Sequence, residues 1–379
     1  MKIGMINLQK KVLFLYSTKF SGHYHAAEAV SKAIEEIDAS IKTLKVETIS
    51  FISPKIGKII HKAYLGMIKK TSSIYDLLWD NQRVFRSTNR LKEVLFDRLS
   101  KDRFKELFDE FRPDATICTQ AFPCGIISRL KRDYNREIKI IAVITDYDVH
   151  SYWIYENVDY YMVATEDMKI KLNKKGINDR KIKVTGIPVK PIFKLSKDKD
   201  KLRKKLNIDN GLPVILIIGG SYGLGPLYDA VKILSEMKES YQFLVVCGKN
   251  ERMIKKIELL KSQISNPLKC FGYIDNIDEL MEVSNLLITK PGGITITEAL
   301  LKGIPMIIYN IVKGQESQNY RFLIKEGMAA ECKDINRLKE VVRDLLNSDK
   351  KQQEFIQKSK EYINPDAAYD IADIILKSI

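Results

Sequence analysis

Two histidines follow directly on the first apolar run of the chain. His23 and His25 stand in the stretch SGHYHAAEAV, a few residues after the strand-like run Val12–Tyr16. A strand, a glycine and a helix start in succession expose backbone N–H groups, here around Gly22, to an anion. An imidazole, with an ordinary pKa of about 6.5, can take a proton from a hydroxyl at such a turn. We predict His23 as a general base, with His25 as a weaker candidate and a helix that begins near Ala26.

The sharpest local signal is ITKPGGITITEAL, residues 288–300. The turn is expected to lead into a helix that Thr295 or Thr297 opens, and the free N–H groups at that helix start suit a diphosphate. Glu298 either complements the helix dipole or accepts hydrogen bonds from a ribose diol. The residues predicted to surround the diphosphate are Pro291, Gly292, Gly293, Ile294 and Thr295.

Two further loops follow predicted strands of the second half. The stretch IIGGSYG holds Gly219 and Gly220, which let the backbone approach a ligand, and Ser221, which offers a hydroxyl. The stretch YNIVKGQESQN is crowded with polar groups that can bond several hydroxyls at once, or is an ordinary polar loop. Its candidate residues are Gln315, Glu316 and Asn319.

A fifth candidate cluster follows an apolar run in the first half. Asp146 ends the strand-like stretch AVIT and is expected to point into a cleft, while His150 and Trp153 follow it. A carboxylate, a histidine and an aromatic ring together can bind an acceptor. They can equally cap a helix and pack a loop.

The elements that must position these residues are short Val/Ile/Leu-rich runs separated by helical patterns. Continuous apolar runs suit strands covered on both faces, and their alternation with helices indicates a parallel α/β sheet, made twice. The charged stretch 193–210 separates the halves, so we predict domains at 1–193 and 194–379, with a last helix that can belong to either. The predicted strands are Val12–Tyr16, Lys45–Ile49, Ala115–Cys118, Ile138–Ile144, Tyr160–Ala164, Ile182–Thr185, Val214–Ile218, Phe243–Cys247, Lys269–Phe271, Leu286–Ile288 and Met306–Tyr309.

Composition narrows the class of partner. The 379 residues carry a net charge of +15, from 63 Lys and Arg against 48 Asp and Glu, which favours nucleic acid, an anionic membrane or phosphorylated substrates. We find no nucleic-acid-binding motif and expect no such partner. The five cysteines lack metal-ligand spacing, so we predict buried reduced thiols and no metal site. No apolar run approaches the roughly 20 residues that a membrane span needs.

A basic amphipathic helix is predicted over residues 55–70. Its apolar residues share one face, which fits either an ordinary core-facing helix or one that lies in a membrane interface. The lysines expected to contact an anionic membrane are Lys55, Lys58, Lys62, Lys69 and Lys70.

Taken together, the motifs resemble a known family over nearly the whole chain. SGHYHAAEAV, ITDYDVHSYW, TGIPV, GGSYG, CFGYIDNIDELM and residues 289–319 are similar, in this order, to glycosyltransferases of the monogalactosyldiacylglycerol synthase type. The resemblance is nearer to processive diacylglycerol glucosyltransferases, and more distant to the enzyme that adds N-acetylglucosamine to lipid-linked muramoyl-pentapeptide. It implies the GT-B fold, two Rossmann-like doubly wound domains with a cleft between them. It further implies a UDP-sugar donor, inversion at the anomeric carbon, and neither metal nor cofactor.

The resemblance also assigns roles to residues. It implies that His23 lies near the acceptor, that Gly292 and Gly293 turn over the diphosphate, and that Glu298 binds the ribose. Three groups carry the remaining implied roles: Phe271, Gly272 and Tyr273 beside the uracil; Gln315, Glu316 and Asn319 on the donor sugar; and Asp146, His150 and Trp153 on the acceptor side. Phe20 departs from the family, which usually has a glycine there.

We therefore expect transfer of a hexose, glucose first, from a UDP-sugar to diacylglycerol or a glycosyl-diacylglycerol at the cytoplasmic face of the cell membrane. His23 is the first candidate for the base and Asp146 the second. The alternatives are N-acetylglucosamine transfer to a polyprenol-linked acceptor, a UDP-sugar 2-epimerase and a non-catalytic membrane-binding module.

Overall fold

The computed structural model describes residues 9–53, 100–134, 138–208, 211–309 and 315–379. The chain divides into two compact units: unit 1 comprises Met1–Lys190 with Asp366–Ile379, and unit 2 comprises Pro191–Pro365. The predicted amphipathic helix with Lys55, Lys58, Lys62, Lys69 and Lys70 lies outside the described residues. Among those described, no helix is both long and apolar enough to cross a membrane.

Twelve strands are described. They are β1 (Lys11–Tyr16), β2 (Lys42–Glu47), β3 (Ala115–Cys118), β4 (Lys139–Val143), β5 (Tyr160–Val163), β6 (Ile182–Val184), β7 (Val214–Ile218), β8 (Gln242–Val246), β9 (Leu268–Phe271), β10 (Leu286–Thr289), β11 (Met306–Tyr309) and β12 (Ala330–Cys332). Each predicted strand overlaps one of these, and β12 was not predicted. The strand predicted over Lys45–Ile49 is partly wrong, because Thr48 already opens a helix.

The helices surround these strands. They are α1 (Gly22–Ile37), α2 (Thr48–Ile52), α3 (Ala121–Tyr134), α4 (Glu166–Lys174), α5 (Lys199–Lys205), α6 (Leu227–Ser235), α7 (Glu251–Lys261), α8 (Ile277–Val283), α9 (Gly293–Lys302), α10 (Gln315–Lys325), α11 (Leu338–Leu346), α12 (Asp349–Tyr362) and α13 (Ala367–Ser378). Residues 100–111 are also helical.

Unit 1 is built on one parallel sheet with the order β2-β1-β3-β4-β5-β6. Its central strands are buried along nearly their whole length because helices cover both faces, whereas β2 at the edge is half-exposed. Helix α1 lies close to the sheet through small residues, and the last helix, α13, packs on it. Their shared core includes Ala27, Val30, Ile34, Ala368, Ile371 and Ile375.

Unit 2 repeats the design with the order β12-β11-β10-β7-β8-β9, again all parallel. The apolar strands β7 and β8 are fully buried. In both units the chain order reverses between two adjacent strands, β1 and β3 in unit 1 and β7 and β10 in unit 2. Ligands of doubly wound sheets bind outside the carboxyl ends of the strands at such a reversal. The prediction of two Rossmann-like parallel sheets is confirmed.

The cysteines agree with the predicted thiol state. All five are free thiols, and Cys118, Cys124, Cys247 and Cys332 are buried whereas Cys270 is half-buried.

Candidate active site

Helix α1 begins earlier than its apolar pattern indicates. The Ser21 hydroxyl accepts a hydrogen bond from the Tyr24 backbone N–H (3.3 Å) and donates one to the Thr18 carbonyl (2.6 Å). This N-cap satisfies one of the N–H groups that a helix start leaves free, so the helix opens at Gly22 and the predicted start near Ala26 is wrong. His23 therefore stands in the first turn of a helix rather than in a flexible loop.

The turn before that cap has a conformation that favours glycine. Phe20 has a φ of 70°, in the left-handed region that costs a residue with a side chain about 1–2 kcal/mol. The Lys19 ammonium lies 5.7 Å from the centre of the Phe20 ring. The backbone at Phe20 therefore has the conformation expected for a glycine, although the residue carries a large aromatic side chain.

Two threonines hold His23 in place. Thr145 Oγ1 lies 2.9 Å from Nδ1 of His23, and the Thr119 hydroxyl donates to the His23 carbonyl oxygen at 2.8 Å. Thr119 follows β3 and Thr145 follows β4, so the carboxyl ends of three adjacent strands, β1, β3 and β4, meet at this histidine. Sequence reasoning missed both threonines, because nothing in their local pattern marks them.

Burial makes His23 a neutral imidazole. It lowers the pKa of His23 to about 4, and a hydrogen bond with the Thr119 backbone opposes part of that shift. With this pKa the imidazole is uncharged at neutral pH, so one ring nitrogen carries a proton and the other has a lone pair that can accept one. The site therefore has the protonation state that a general base requires.

The acceptor-side candidates lie on the loop that follows β4. Asp146, next to Thr145, is only 7% exposed. Burial lowers the pKa of His150 to about 4; Asp148 opposes this shift, and Lys175 and then His23 add to it.

Trp153, on the same loop, is 1% exposed and forms part of the core. Its ring centre lies 6.3 Å from that of His150. The roles of Asp146, His150 and Trp153 in acceptor binding stay predictions.

His25 has a different environment from His23. Its Nδ1 lies 3.8 Å from a carboxylate oxygen of Glu28, and the Lys190 ammonium lies 2.7 Å from the same oxygen. Burial works against the charge of Glu28, but Lys190 and then His25 outweigh it and lower the pKa of that carboxyl. His25 thus belongs to a charge cluster that ties α1 to Lys190, in the segment that follows β6.

In unit 2 the glycine loop after β7 folds tightly. The Leu224 N–H donates to the Gly219 carbonyl at 2.8 Å, and Gly220 and Gly223 have φ values of 68° and 53°. A Cβ at Gly223 would stand 2.0 Å from the Cys247 carbonyl oxygen, so only glycine fits. The loop thus packs closely against Cys247, the residue that follows β8.

A second glycine locks the same loop. Gly248, just beyond β8, has a φ of 53°, and a Cβ there would stand 2.4 Å from the Ser221 carbonyl oxygen. The Lys249 N–H donates to that oxygen at 2.9 Å, which fixes Ser221. Gly223 and Gly248 were not predicted as site residues, because their constraint comes from contacts between the two loops.

The turn after β10 leads directly into α9. Gly292 is the N-cap and Gly293 the first helical residue, so the prediction that Thr295 or Thr297 opens the helix is wrong. The Thr297 hydroxyl donates to the Gly293 carbonyl at 2.7 Å, inside the first turn. No described heavy atom lies within 4 Å of the position where a Cβ of Gly292 would stand. Space is therefore open on the Cβ side of Gly292, at a helix start whose first N–H groups lack intrahelical acceptors.

Two side chains from α10 reach this turn. Asn319 is fully buried, and its amide donates to the Pro291 carbonyl at 3.0 Å. Glu316 forms an ion pair with Lys290, the residue that follows β10. Sequence reasoning missed Lys290, although the TKPGG stretch contains it.

The remaining predicted donor residues occupy the same edge of the sheet. Glu298 is 9% exposed in the first turns of α9. Phe271 ends β9 and accepts the Cys247 N–H at 2.8 Å, with Gly272 and Tyr273 next in the chain. The side chain of Gln315 lies outside the described part of the structure. The specific contacts predicted for these residues stay predictions.

Comparison with known proteins agrees with both halves of the chain. Residues 23–189 match the family model for monogalactosyldiacylglycerol synthase, and residues 214–373 match that for the glycosyltransferase family 28 C-terminal domain. A processive diacylglycerol beta-glucosyltransferase from Bacillus licheniformis is 31% identical over 98% of this chain and 96% of its own length.

Solved structures agree on the fold. MurG of Acinetobacter baumannii has a TM-score of 0.61 and 15% identity over 97% of this chain and 99% of its own. The UDP-GlcNAc 2-epimerase of Neisseria meningitidis, bound to UDP-GlcNAc, has a TM-score of 0.60 and 16% identity over 97% and 99%. The fold is therefore shared by transferases and epimerases, and the sequence similarity distinguishes them. The chain belongs to the family of monogalactosyldiacylglycerol synthase-type glycosyltransferases that includes the processive diacylglycerol glucosyltransferases, and it is a sugar-transferring enzyme.

Proposed function

We propose that this enzyme transfers a hexose, glucose first, from a UDP-sugar to the hydroxyl of diacylglycerol or of a glycosyl-diacylglycerol, with inversion and without a metal ion. The similarity to a processive diacylglycerol beta-glucosyltransferase over 98% of the chain carries the proposal. The neutral His23 supports the proposal on the acceptor side, and the open space beside Gly292 at the start of α9 supports it on the donor side.

On the acceptor side, His23 takes the proton of the attacking hydroxyl. Thr145 contacts the imidazole and the Thr119 hydroxyl holds the His23 backbone, so the base is positioned before substrate arrives, which removes an entropic cost from the reaction. A pKa of about 4 keeps His23 unprotonated but makes it a weak base. Asp146, buried on the neighbouring loop, is the second candidate.

On the donor side, UDP binds at the carboxyl ends of β7, β9 and β10. The N–H groups at the start of α9 and the Ser221 hydroxyl receive the diphosphate, and Glu298 accepts hydrogen bonds from the ribose. The uracil lies beside Phe271, Gly272 and Tyr273. A helix N-terminus carries roughly half a positive charge, which offsets the charge that a metal ion balances in other transferases.

The reaction is a single displacement. The acceptor oxygen forms a bond to the anomeric carbon as the bond from that carbon to the UDP oxygen breaks, and the base holds the acceptor proton. UDP leaves with the bonding electron pair, and the donors around Gly292 stabilise its added charge. Attack from the face opposite UDP inverts the anomeric configuration.

The lipid acceptor requires contact with a membrane. We place the enzyme peripherally on the inner face of the cell membrane, supported by its net charge of +15. Lys55, Lys58, Lys62, Lys69 and Lys70 are the proposed contacts with anionic lipid.

A donor and acceptor panel tests the proposal. UDP release is measured with UDP-glucose, UDP-galactose and UDP-N-acetylglucosamine, each with and without diacylglycerol in anionic vesicles. Release that requires diacylglycerol and is greatest with UDP-glucose supports the proposal, and His23→Ala should abolish it. Release only with a polyprenol-linked acceptor, or conversion of a UDP-sugar without any lipid, would contradict it in favour of the corresponding alternative.

A further inference from the structure

An ion pair occupies the edge of the sheet where the donor is proposed to bind. Lys290 follows β10 and Glu316 lies in the first turn of α10, and their side chains are 20% and 18% exposed. One carboxylate oxygen of Glu316 bonds the Lys290 ammonium. The other oxygen is buried and has no hydrogen-bond partner among the described residues. A buried carboxylate oxygen without a donor is costly, so this one is ready to accept a hydroxyl.

The stem of Lys290 lies across the glycine loop. A Cβ at Gly220 would stand 3.0 Å from Lys290 Cε and 3.8 Å from its Nζ. The same lysine supplies the carbonyl that receives the Gly292 N–H at 2.9 Å, at the start of the diphosphate turn. The ammonium thus stands beside the glycine loop, and the backbone of the same residue belongs to the turn before α9, although its ionic partner is Glu316.

We propose that Lys290 and Glu316 exchange partners when the donor binds. The donor diphosphate takes the Lys290 ammonium, and the freed Glu316 accepts hydrogen bonds from hydroxyls of the sugar to be transferred. Lysine suits this exchange because its compact charge sits on a flexible stem with three donors. A partly exposed ion pair contributes little to stability, so a doubly charged diphosphate can replace the carboxylate.

This exchange rests on the proposed UDP-sugar function and makes Glu316 act in opposite directions on two ligands. With UDP alone, Glu316 competes with the phosphates for Lys290. With UDP-glucose, hydrogen bonds from the sugar hydroxyls to Glu316 replace the ion pair with Lys290 that the carboxylate loses. Removal of its charge should therefore help UDP and harm the sugar nucleotide.

Calorimetric titration of the full chain with uridine, UMP, UDP and UDP-glucose separates these effects. We expect Lys290→Met to weaken UDP binding about 10-fold or more, UMP less and uridine not at all, because a charge-assisted contact is lost. Lys290→Arg should keep most of the UDP affinity. Glu316→Gln should bind UDP at least as tightly as the wild type and bind UDP-glucose more weakly. Lys339→Met, which breaks an exposed ion pair with Glu236, is the matched control and should change nothing.

The outcomes distinguish the exchange from the function on which it rests. A wild-type chain that binds no uridine nucleotide would overturn the proposed function. Wild-type UDP binding that Lys290→Met leaves unchanged would overturn only the exchange. So would equal losses for uridine and UDP, or a Glu316→Gln variant that loses UDP as strongly as Lys290→Met, because the pair would then be a fixed brace of the pocket.

Discussion

Thr145 Oγ1 lies 2.9 Å from Nδ1 of His23, although 122 positions separate the two residues in the chain. The contact joins the loop after β4 to the first turn of α1, and Thr145 itself is only 3% exposed. A buried hydroxyl at this distance fixes the plane of the imidazole and engages one of its two nitrogens. Thr145 is therefore a positioning residue for the proposed base.

Thr145→Val tests that role with almost no change in side-chain volume. We expect kcat/KM for sugar transfer to fall about 10- to 100-fold, because the imidazole loses its orientation. UDP affinity, measured by titration calorimetry, should stay at the wild-type value. Thr145→Ser should restore most of the rate. A Val variant with full activity, or a Ser variant as poor as Val, would remove Thr145 from the mechanism.

The lowered pKa values of His23 and His150 predict a pH-dependent stability. Burial lowers the pKa of His23 and that of His150 to about 4, whereas the unfolded chain titrates at about 6.5. Between these values the unfolded state binds protons that the folded state does not, so the free energy of unfolding decreases as the pH falls from 6.5 towards 4. Above pH 6.5 the contribution is complete and no longer changes.

Urea unfolding at several pH values measures this effect. The His23→Gln, His150→Gln double variant should show a flatter dependence than the wild type between pH 6.5 and 4.5. Equal slopes for the two proteins would contradict the depressed pKa values.

The glycine loop offers a test by substitution. Gly223→Ala would place a methyl group 2.0 Å from the Cys247 carbonyl oxygen at a φ of 53°, so the loop must move. We expect a loss of about 1–3 kcal/mol in the free energy of unfolding and at least about 10-fold weaker UDP binding. Gly176→Ala is the control, since Gly176 also has a positive φ, 89°, but has no described atom within 4 Å of its Cβ position. If Gly223→Ala binds UDP like Gly176→Ala, the loop does not contribute to the donor site.

The strands could be predicted from sequence because their apolar runs are continuous and end at turn residues. The runs VLFLY and VILII each became a central strand buried on both faces. The edge strand β12 was not predicted because it has only three residues, Ala330–Cys332, and these do not form a continuous apolar run. The turn at Gly292 and Gly293 could also be predicted locally, because a proline and two glycines directly follow the apolar run of β10.

The contacts that make the site specific could not be predicted in this way. Thr145 and Lys290 have ordinary neighbours in sequence, and their importance comes from His23 and Glu316, which the fold brings to them. The start of α1 was predicted too late because the apolar periodicity begins only after the first turn. The Ser21 hydroxyl, which caps the helix, sets the true start at Gly22. Local patterns thus predict elements, while tertiary contacts define the chemistry.

Membrane binding can be separated from net charge. Lys55, Lys58 and Lys62 replaced together by Glu should reduce sedimentation with phosphatidylglycerol vesicles by on the order of 10-fold or more, because each lysine near an anionic surface contributes about 1 kcal/mol. The control replaces Lys201, Lys333 and Lys350, which are 85%, 76% and 85% exposed, and changes the charge equally. If both variants lose vesicle binding equally, the effect comes from net charge, and the specific role of Lys55, Lys58 and Lys62 in membrane binding is rejected.

The most direct test of sugar transfer is the structure of the product. The enzyme is incubated with UDP-glucose carrying a ¹³C label and diacylglycerol vesicles, with and without a metal chelator, and the lipid fraction is analysed by mass spectrometry and NMR. We predict a glucosyl-diacylglycerol whose labelled anomeric carbon is β-linked, formed from the α-linked donor at the same rate in both samples. An α-linked product, loss of product in the chelator, or label found only in free sugar would contradict an inverting, metal-independent transfer to diacylglycerol.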